Sequence, residues 1–568
     1  MFSILNANYL SILIGFFTNV LALLTLNSCA LKIVDYDLKK STKSLLISKK
    51  QKLSASEWQN WQHSDPSKDT ISGISTFLAH DFLKDKKSKP ITIAIIDSRF
   101  DITHKDLEDI LWINADEIPN NNIDDDNNGY IDDIHGWNFL GNSNGKQVYR
   151  TNGEYTRLIR EYKPIFDNYK ERKIPKRLRN KFDRYKSALE EYDNEIKIVD
   201  ENIRYLDSLD ELRIKIETKL TSILPKTKLS VKLIDSLSKI NEKSIEELKI
   251  LRTLIAKEDW AKSRRDYEKL KLSFLLNLDS DGRDIIGDKS DNINDTFYGN
   301  NKIYIDSSGN RHSHAIKTIG VIFAKKNSEI GVTGIIRNEA KAMILPVAPY
   351  GDTHDKDIAL AIRYAVDNGA DIINMSLGKE FSLYEDWVID AIKYASINDV
   401  LIIKSAGNRR FDLDKVLNYP NDAKNHSKEY VDNFLKVGAT TNKIDSTLVH
   451  NNSSYGKKEV DIFAPGKFVF TTLNDQKYGY RSGTSLSSAL VSGIAGLIRS
   501  YYPNLTASEV KQIIMESGVS YDIMVNKPST SDKKELVPFS SLSKSGKIVN
   551  AYNALLMAEE VSKKKNRK

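Results

Sequence analysis

An alternation of buried strands and amphipathic helices is the feature that most constrains the fold of this chain. Ile91–Asp97 is a near-continuous run of β-branched residues after Pro90, typical of a strand buried on both faces in a parallel sheet. Further strand patterns lie at 341–347, 371–375, 400–405, 437–440 and 460–466, and helical patterns at 315–324, 355–368 and 384–398. This order predicts an α/β fold with a doubly wound, mostly parallel sheet.

Residues 482–489 contain a candidate nucleophile. Gly483-Thr484-Ser485 precedes a run of small residues and periodic aliphatic ones, which predicts a helix through a packed core. A serine in the first helical turn lies among unpaired backbone N–H groups at the positive end of the helix dipole, which suits a nucleophile whose attack creates an oxyanion. Short Gly/Thr/Ser tripeptides also mark ordinary turns and helix caps, so this interpretation needs a base and an acid elsewhere.

The acid and the base have candidates earlier in the chain. Asp97 closes the first strand, and chemistry gathers at the carboxyl ends of strands in open α/β sheets. The segment 311–314, Arg-His-Ser-His, opens the helical run that begins at Ala315. The order Asp, His, Ser is one of the three known orders of a catalytic triad. A turn-capping role for the aspartate and a structural role for the histidine are the alternatives.

Five motifs in register resemble those of the subtilases, the subtilisin-like serine proteases. They are 95–98 (Ile-Ile-Asp-Ser), 374–378 (Asn-Met-Ser-Leu-Gly), 405–408 (Ser-Ala-Gly-Asn), 463–466 (Phe-Ala-Pro-Gly) and 483–485 (Gly-Thr-Ser). The resemblance runs from about Trp61 to Ala554, apart from a helical insertion. It is strongest to the calcium-loop-bearing lipoprotein subtilases of Bacteroidetes-type bacteria. It implies a subtilisin-like fold and a serine endopeptidase acting on proteins or peptides.

The resemblance also implies roles for individual residues. Ser485 would attack the peptide carbonyl, His314 would move the proton, and Asp97 would orient the imidazole. Asn408 and the Ser485 backbone N–H would bind the oxyanion. Ser376, Leu377 and Gly378 would offer backbone hydrogen bonds to an extended substrate. The family has His-Gly-Thr-His-Val-Ala-Gly around its histidine. Counting back from 330–332 (Ile-Gly-Val) assigns that position to His314 and the final glycine to Gly320, with His312 as the alternative.

The sequence departs from the family pattern beside each triad position. Arg99 replaces a glycine, 315–317 (Ala-Ile-Lys) replaces Gly-Thr-His, and 486–490 (Leu-Ser-Ser-Ala-Leu) replaces Met-Ala-Ala-Pro-His. These departures give a second hypothesis, a catalytically impaired subtilase-fold pseudoprotease that serves as an envelope binding module. A third, a calcium-stabilised adhesin without a peptide groove, is disfavoured by the retained substrate-strand and oxyanion motifs.

An acidic loop at 121–133 is a candidate structural calcium site. Oxygen-bearing residues stand at alternate positions with glycine at the sixth, which is the spacing of a calcium loop. The ligands would be Asp124, Asp126, Asn128, the Tyr130 carbonyl and Asp132. His135 occupies the twelfth position instead of a glutamate, so the EF-hand pattern is incomplete. An Asx-rich turn without metal is the alternative.

Residues 150–276 form a Lys-, Glu- and Arg-rich segment that interrupts the α/β pattern. Apolar residues at steps of three and four from Phe182 to Leu206 predict an amphipathic helix with a coiled-coil-like seam. Pro225 would end it, and apolar positions from Ile234 to Ile255 predict a return. The segment is therefore expected to be a helical hairpin, packed on itself or binding a partner.

The ends of the chain and its charge bound the remaining interpretations. The apolar run 10–26 followed by the sole cysteine, Cys29, predicts a lipoprotein signal at 1–29 and a lipid-anchored protein of a bacterial cell envelope, at the outer membrane or cell surface. Residues 30–88 are expected to be a linker and lead-in, 89–558 the peptidase domain, and 559–568 a basic tail that frays from Lys563. The net charge of +7 is small for 568 residues and does not indicate nucleic-acid binding.

Overall fold

The computed structural model describes residues 52–567, apart from 168, 170–172, 224–228, 239–244, 305–312, 326–330, 425 and 532. Cys29, Pro225 and His312 lie outside the described residues. Within the described ranges, no helix combines the length and the apolar character needed to span a bilayer.

Twelve strands occur in the described part of the chain, and eight of them form the central sheet. They are β1 (Ile91–Asp97), β2 (Ala340–Pro346), β3 (Ile372–Met375), β4 (Leu401–Ser405), β5 (Phe434–Thr440), β6 (Ile462–Pro465), β7 (Val469–Leu473), β8 (Lys477–Arg481), β9 (Val519–Ser520), β10 (Met524–Asn526), β11 (Leu536–Pro538) and β12 (Lys547–Ile548). The sheet order is β2-β1-β3-β4-β5-β6-β12-β9, parallel throughout except for the antiparallel edge strand β9. β2 and β3 flank β1, so the direction of winding reverses at β1 and opens a crevice at the carboxyl ends of these strands.

Helices cover both faces of the sheet. They are α1 (Ala55–Asn60), α2 (Pro66–Asp69), α3 (Thr76–Leu83), α4 (Glu154–Phe166), α5 (Arg179–Ile223), α6 (Val231–Ser238), α7 (Ile245–Ala256), α8 (Glu258–Leu270), α9 (Ala315–Phe323), α10 (Asp355–Asp367), α11 (Glu385–Ile397), α12 (Thr484–Tyr501), α13 (Ala507–Ser517) and α14 (Ala551–Lys565). One apolar core joins α9, α12, α13 and α14 to the sheet, and a second joins α10 and α11 to its other face. The doubly wound α/β prediction is therefore confirmed.

The insertion is built around the 45-residue helix α5. Its predicted apolar seam packs mainly against α4, and Tyr185 and Val199 are buried in the apolar cluster that includes this contact. The part of the insertion that runs back along α5 was expected to be a single helix. It consists of three helices in the structure, α6, α7 and α8. Ile234, Leu248 and Leu251 on the return bury a small cluster with Ile216 of α5.

The two flanks of the sheet body are more ordered than a linker and a frayed tail. Trp61 is fully buried in the main core, and its indole N–H donates to the Phe468 carbonyl at 3.0 Å. At the other end, α14 continues to Lys565, past Lys563, where fraying was expected to begin. Lys563 pairs with Glu559 one turn earlier at 3.2 Å, and basic side chains suit the negative end of a helix dipole.

Candidate active site

Asp97 and His314 meet at the carboxyl end of β1. Asp97 is buried, and the His314 Nδ1 lies 2.9 Å and 2.8 Å from its two carboxylate oxygens. The neighbouring Ser98 fixes the histidine backbone, since its hydroxyl accepts the N–H groups of His314 at 2.8 Å and Ala315 at 3.1 Å. Ser98 thus caps α9. Its place directly after Asp97 was the only sequence signal for this role.

Ser485 lies in the first turn of α12 and faces the same cavity. A cavity of about 380 Å³ is lined by Ser485, His314 and Asn408 together with the segment Ser376, Leu377 and Gly378. The Ser485 hydroxyl donates to the Ser376 carbonyl at 3.3 Å, and the described residues show no hydrogen bond between it and His314. Nucleophile–base hydrogen bonds are often long in substrate-free sites, so this geometry is compatible with a base at His314.

Asn408 is oriented by the start of α12. Its side-chain oxygen accepts the Thr484 N–H at 2.9 Å, and the Gly407 N–H donates to the Thr484 hydroxyl at 3.1 Å. Gly407 has φ +97°, a backbone conformation that glycine adopts without strain. Because the oxygen of Asn408 is held by the helix, its NH₂ group is left to donate into the cavity.

The residues that depart from the family pattern after Ser485 are buried and satisfied. Ser488 donates to the Ser485 carbonyl at 3.0 Å and lies 3.1 Å from the Ser376 hydroxyl. Ser487 donates to the Ala464 and Pro465 carbonyls at 3.1 Å and 3.0 Å. The two hydroxyls therefore tie the nucleophile helix to β3 and β6.

Two residues that depart from the family pattern, Arg99 and Lys317, lie near Asp97 and His314 in sequence. The Arg99 guanidinium lies 4.7 Å from the centre of the Tyr149 ring, and the described residues show no ion pair between it and Asp97. Burial and the nearby Arg481 lower the pKa of Lys317, while Asp97 opposes this shift.

Gly320, which matches the final glycine of the family motif, lies where α9 meets β7. A Cβ on Gly320 would lie 2.1 Å from the Thr472 hydroxyl, so the glycine allows α9 to pack against β7. This close approach explains why glycine stands at that position.

Comparison with known proteins identifies the family. The profile described as the Subtilase family matches residues 88–535. The chain belongs to the subtilase family of serine proteases. It is 34% identical over 245 residues to the cell wall-associated protease of Bacillus subtilis, covering 42% of this chain and 24% of that protein. It is 30% identical over 260 residues to the major intracellular serine protease of the same organism, covering 44% of this chain and 74% of that protein.

The extent of the similarity differs among relatives. This subtilase also spans only 44% of subtilisin-like protease 1 of Plasmodium berghei, to which it is 29% identical over 280 residues covering 45% of this chain. Among solved structures, a protease of Pseudoalteromonas arctica is 25% identical with a TM-score of 0.34, covering 43% of this chain and 70% of that one.

The insertion of this subtilase reaches the cavity that Ser485 and His314 line. Tyr155 of α4 and Glu191 of α5 line it together with Asp352, Glu380 and Arg409. Burial raises the pKa of Glu380 to about 7; Arg409 opposes the rise, and Glu191 and Asp352 add to it. Burial likewise raises the pKa of Glu191, with Arg409 opposing. This end of the cavity is crowded with carboxylates.

A different charge lies behind the lining residue Asn418. Lys404 on β4 is fully buried, and its ammonium donates to Asn418, a lining residue, and to the Ser405 carbonyl at 3.3 Å. Burial and the neighbouring Lys436 lower the pKa of Lys404 to about 7. A Cβ on Gly378 would lie 3.5 Å from this ammonium, which places Lys404 next to the expected substrate strand.

A buried ionic network joins the insertion to the loop after β3. Glu154, at the start of α4, pairs with Arg157 and lies 3.2 Å from the Lys379 ammonium, which also pairs with Asp355 at 2.8 Å. The Leu383 N–H donates to the Glu154 carboxylate at 2.7 Å. The base of the insertion is therefore fixed against the segment that follows Gly378.

The acidic loop brings together only part of the predicted ligand set. Carboxylate oxygens of Asp124, Asp126 and Glu117 lie within 4.8 Å of one another. The predicted ligand Asp132 instead accepts the backbone N–H groups of Asn121 at 3.2 Å and Asn122 at 3.0 Å. Asn128 donates its side-chain amide to Asp126 at 3.0 Å, and the Tyr130 N–H donates to the Asn128 oxygen at 2.8 Å. Glu117 was missed because it precedes the loop motif.

Proposed function

We propose that this subtilase is a serine endopeptidase that hydrolyses peptide bonds through an acyl-enzyme. The observation that carries the proposal is the two-oxygen contact between Asp97 and the His314 Nδ1, with Ser485 facing the same cavity as the histidine. An aspartate bound to Nδ1 fixes the imidazole tautomer that leaves Nε2 free to accept a proton.

The chemical steps follow from these positions. Ser485 Oγ attacks the peptide carbonyl carbon while His314 Nε2 takes the hydroxyl proton, and the carbonyl oxygen becomes an oxyanion. The Asn408 NH₂ group and the Ser485 backbone N–H donate to this oxyanion, and such a donor is worth about 10²–10³ in rate, a figure measured on subtilisin itself. The imidazolium then gives its proton to the leaving amine, and water repeats the cycle on the acyl-enzyme.

The substrate is proposed to bind as an added strand. Ser376, Leu377 and Gly378 continue β3 into the cavity, and their backbone groups suit an extended peptide.

Labelling with a fluorophosphonate probe tests the function. The full chain is expected to react at Ser485, and Ser485→Ala is expected to abolish the reaction. Absence of labelling in the folded chain would refute the endopeptidase and leave the pseudoprotease, in which the same cavity would bind peptides without cleaving them.

We further propose that Glu117, Asp124 and Asp126 hold a structural calcium ion. Three carboxylates are hard oxygen ligands of the kind calcium prefers, and the ion would offset their mutual repulsion. Chelation with EGTA is expected to lower the Tm of the wild-type chain, and Asp124→Asn is expected to remove that response. An unchanged Tm on chelation would exclude the site.

Anchoring to the envelope through a lipid on Cys29 remains a separate proposal. Expression in a bacterial host with and without Cys29→Ser tests it: the wild-type chain is expected to partition into detergent after Triton X-114 phase separation, and the variant is not. Equal partitioning would refute lipidation.

A further inference from the structure

The helical insertion builds one wall of the catalytic cavity, through Tyr155 of α4 and Glu191 of α5. We propose that this wall is a subsite for a basic side chain of the substrate, lysine or arginine. The subsite rests on the proposed endopeptidase function, because the basic side chain would belong to the peptide bound beside Ser485.

The charges that line this end of the cavity do not balance. Glu191, Asp352 and Glu380 contribute three carboxylates. Arg409 faces them, with its Nη1 2.7 Å from Glu380 and 3.8 Å from Glu191. Among the described lining residues, one guanidinium therefore meets three carboxylates, and a substrate cation would offset the excess.

The other cations that line the cavity are already engaged. The Lys379 ammonium lies between Glu154 and Asp355 and donates to the Thr353 carbonyl at 2.7 Å. His314 is held by Asp97. Neither side chain is free to neutralise Glu191 or Asp352.

Tyr155 provides an observation independent of the carboxylates. Only 6% of this residue is exposed, and its hydroxyl has no hydrogen-bond partner within the described part of the chain. Burial raises the pKa of Tyr155; Glu195, Asp352 and Glu191 add to the rise, and Arg409 opposes it. Leaving a buried hydroxyl unpaired is unfavourable, because the group loses its hydrogen bonds to water without gaining a partner. An ammonium or guanidinium among these carboxylates would supply the missing partner and could also contact the aromatic ring.

Lys404 restricts where the basic side chain binds. Its buried ammonium donates to Asn418 and lies close to Gly378, so the lining next to these two residues disfavours a cation. The subsite therefore lies beside Glu191 and Tyr155.

Peptide binding to the full-length Ser485→Ala chain tests the subsite without requiring catalysis. The probes are alanine-based nonapeptides that carry one lysine, glutamine or glutamate at each position in turn, with affinity measured by fluorescence anisotropy at low salt. At one or more positions we expect lysine to bind about tenfold more tightly than glutamine, and glutamate more weakly than both, as several partly exposed charges act together. The preference should weaken in 0.5 M NaCl because salt screens exposed charges.

Glu191→Gln, added to Ser485→Ala, should reduce the preference for lysine about two- to fivefold. Glu190→Gln is the matched control, because it removes the same charge from an exposed adjacent position on α5. Glu380→Gln is a second test should Glu191→Gln lower the melting temperature.

The outcomes separate the subsite from the catalytic proposal. Affinities for lysine and glutamine peptides within twofold at every position would overturn the subsite. The subsite would also be overturned if no peptide bound measurably, or if Glu190→Gln and Glu191→Gln changed the preference for lysine peptides equally. A lysine preference in the Ser485→Ala chain, with no peptide cleaved by the wild-type chain, would retain the subsite and refute the endopeptidase.

Discussion

Lys404 in the sheet body and the charged side chains of the helical insertion are held in different ways. Lys404 in the body is fully buried and bonded to an amide and a carbonyl, and the described residues show no carboxylate within ion-pair distance of it. In the outer part of the insertion, charges pair at the surface, as Arg252 does with Asp235 at 2.6 Å while both remain about half exposed. Where the two regions meet, Glu154, Arg157 and Lys379 are both buried and paired.

This difference indicates which parts of the insertion matter. Exposed pairs contribute little to stability, whereas a buried charge that loses its partner is strongly destabilising. The insertion also exposes apolar side chains along its outer length, such as Tyr205 and Ile214 at 56% and 61%. Its base, in contrast, carries both the ionic network and the cavity wall. We therefore expect sensitivity to mutation to fall with distance from this junction.

The largest effect is expected in the body, from Asp97→Asn. An asparagine can stabilise the wrong imidazole tautomer, so kcat for peptide hydrolysis should fall about 10⁴-fold while the fold is retained. Asp101→Asn is a suitable control, since Asp101 accepts from Thr103 outside the cavity. A loss of less than tenfold for Asp97→Asn, with normal melting, would contradict the assigned role.

At the junction, Glu154→Gln should lower the free energy of unfolding by about 3–5 kcal/mol, because it leaves the buried Arg157 without its carboxylate. Burial opposes the charged form of Glu154, but Arg157 and Lys379 outweigh it and lower its pKa. The stabilisation is therefore present above the ordinary glutamate pKa and lost as the pH falls through the lower folded value. Urea unfolding at pH 7 and pH 3 measures both effects; a loss under 1 kcal/mol at pH 7 would show that the network does not anchor the insertion.

The fold of the body was largely predictable from sequence, because buried strands leave a local signal. The predicted strand at 400–405 corresponds to β4 at Leu401–Ser405, and the predicted helix at 384–398 to α11 at Glu385–Ile397. Asp97 ends β1 and Ser376 directly follows the adjacent parallel strand β3. Because parallel strands end at a common edge, the proximity of the two residues also follows from topology.

The contribution of the insertion to the site was not predictable in the same way. The spacing from Phe182 to Leu206 indicates which face of α5 is apolar, but not where the polar residue Glu191 lies. That depends on how α4 and α5 dock on the body, and this docking includes contacts of Glu154 with Lys379 and Leu383, more than 200 residues away in sequence. The paired histidines at 312 and 314 likewise needed the family motif to be told apart.

Lys404→Met tests whether the buried ammonium of Lys404, which has no carboxylate partner among the described residues, makes stability depend on pH. Since burial lowers the pKa of Lys404 to about 7, the unfolded chain binds one more proton than the folded chain between pH 7 and the ordinary lysine value, so stability rises with pH in that window. Between pH 7 and pH 9 the wild-type free energy of unfolding should gain roughly 2 kcal/mol more than that of the variant. If the free energy of unfolding changed with pH equally in the wild-type chain and the Lys404→Met variant, titration of Lys404 would have no effect on stability.

The smallest effect is expected at the outer end of the insertion, in the exposed pair of Arg252 and Asp235. Water screens both charges and two long side chains must be ordered to pair, so the coupling energy from a double-mutant cycle of Arg252→Gln and Asp235→Asn should lie below about 1 kcal/mol. The affinity of Ser485→Ala for lysine peptides should not change in either variant, because neither residue lines the cavity. A coupling above 2 kcal/mol, or a changed peptide preference, would mean that the outer insertion and the catalytic cavity are energetically linked. The expectation that sensitivity to mutation falls with distance from the junction would then be wrong. The whole insertion would have to act as one unit with the site.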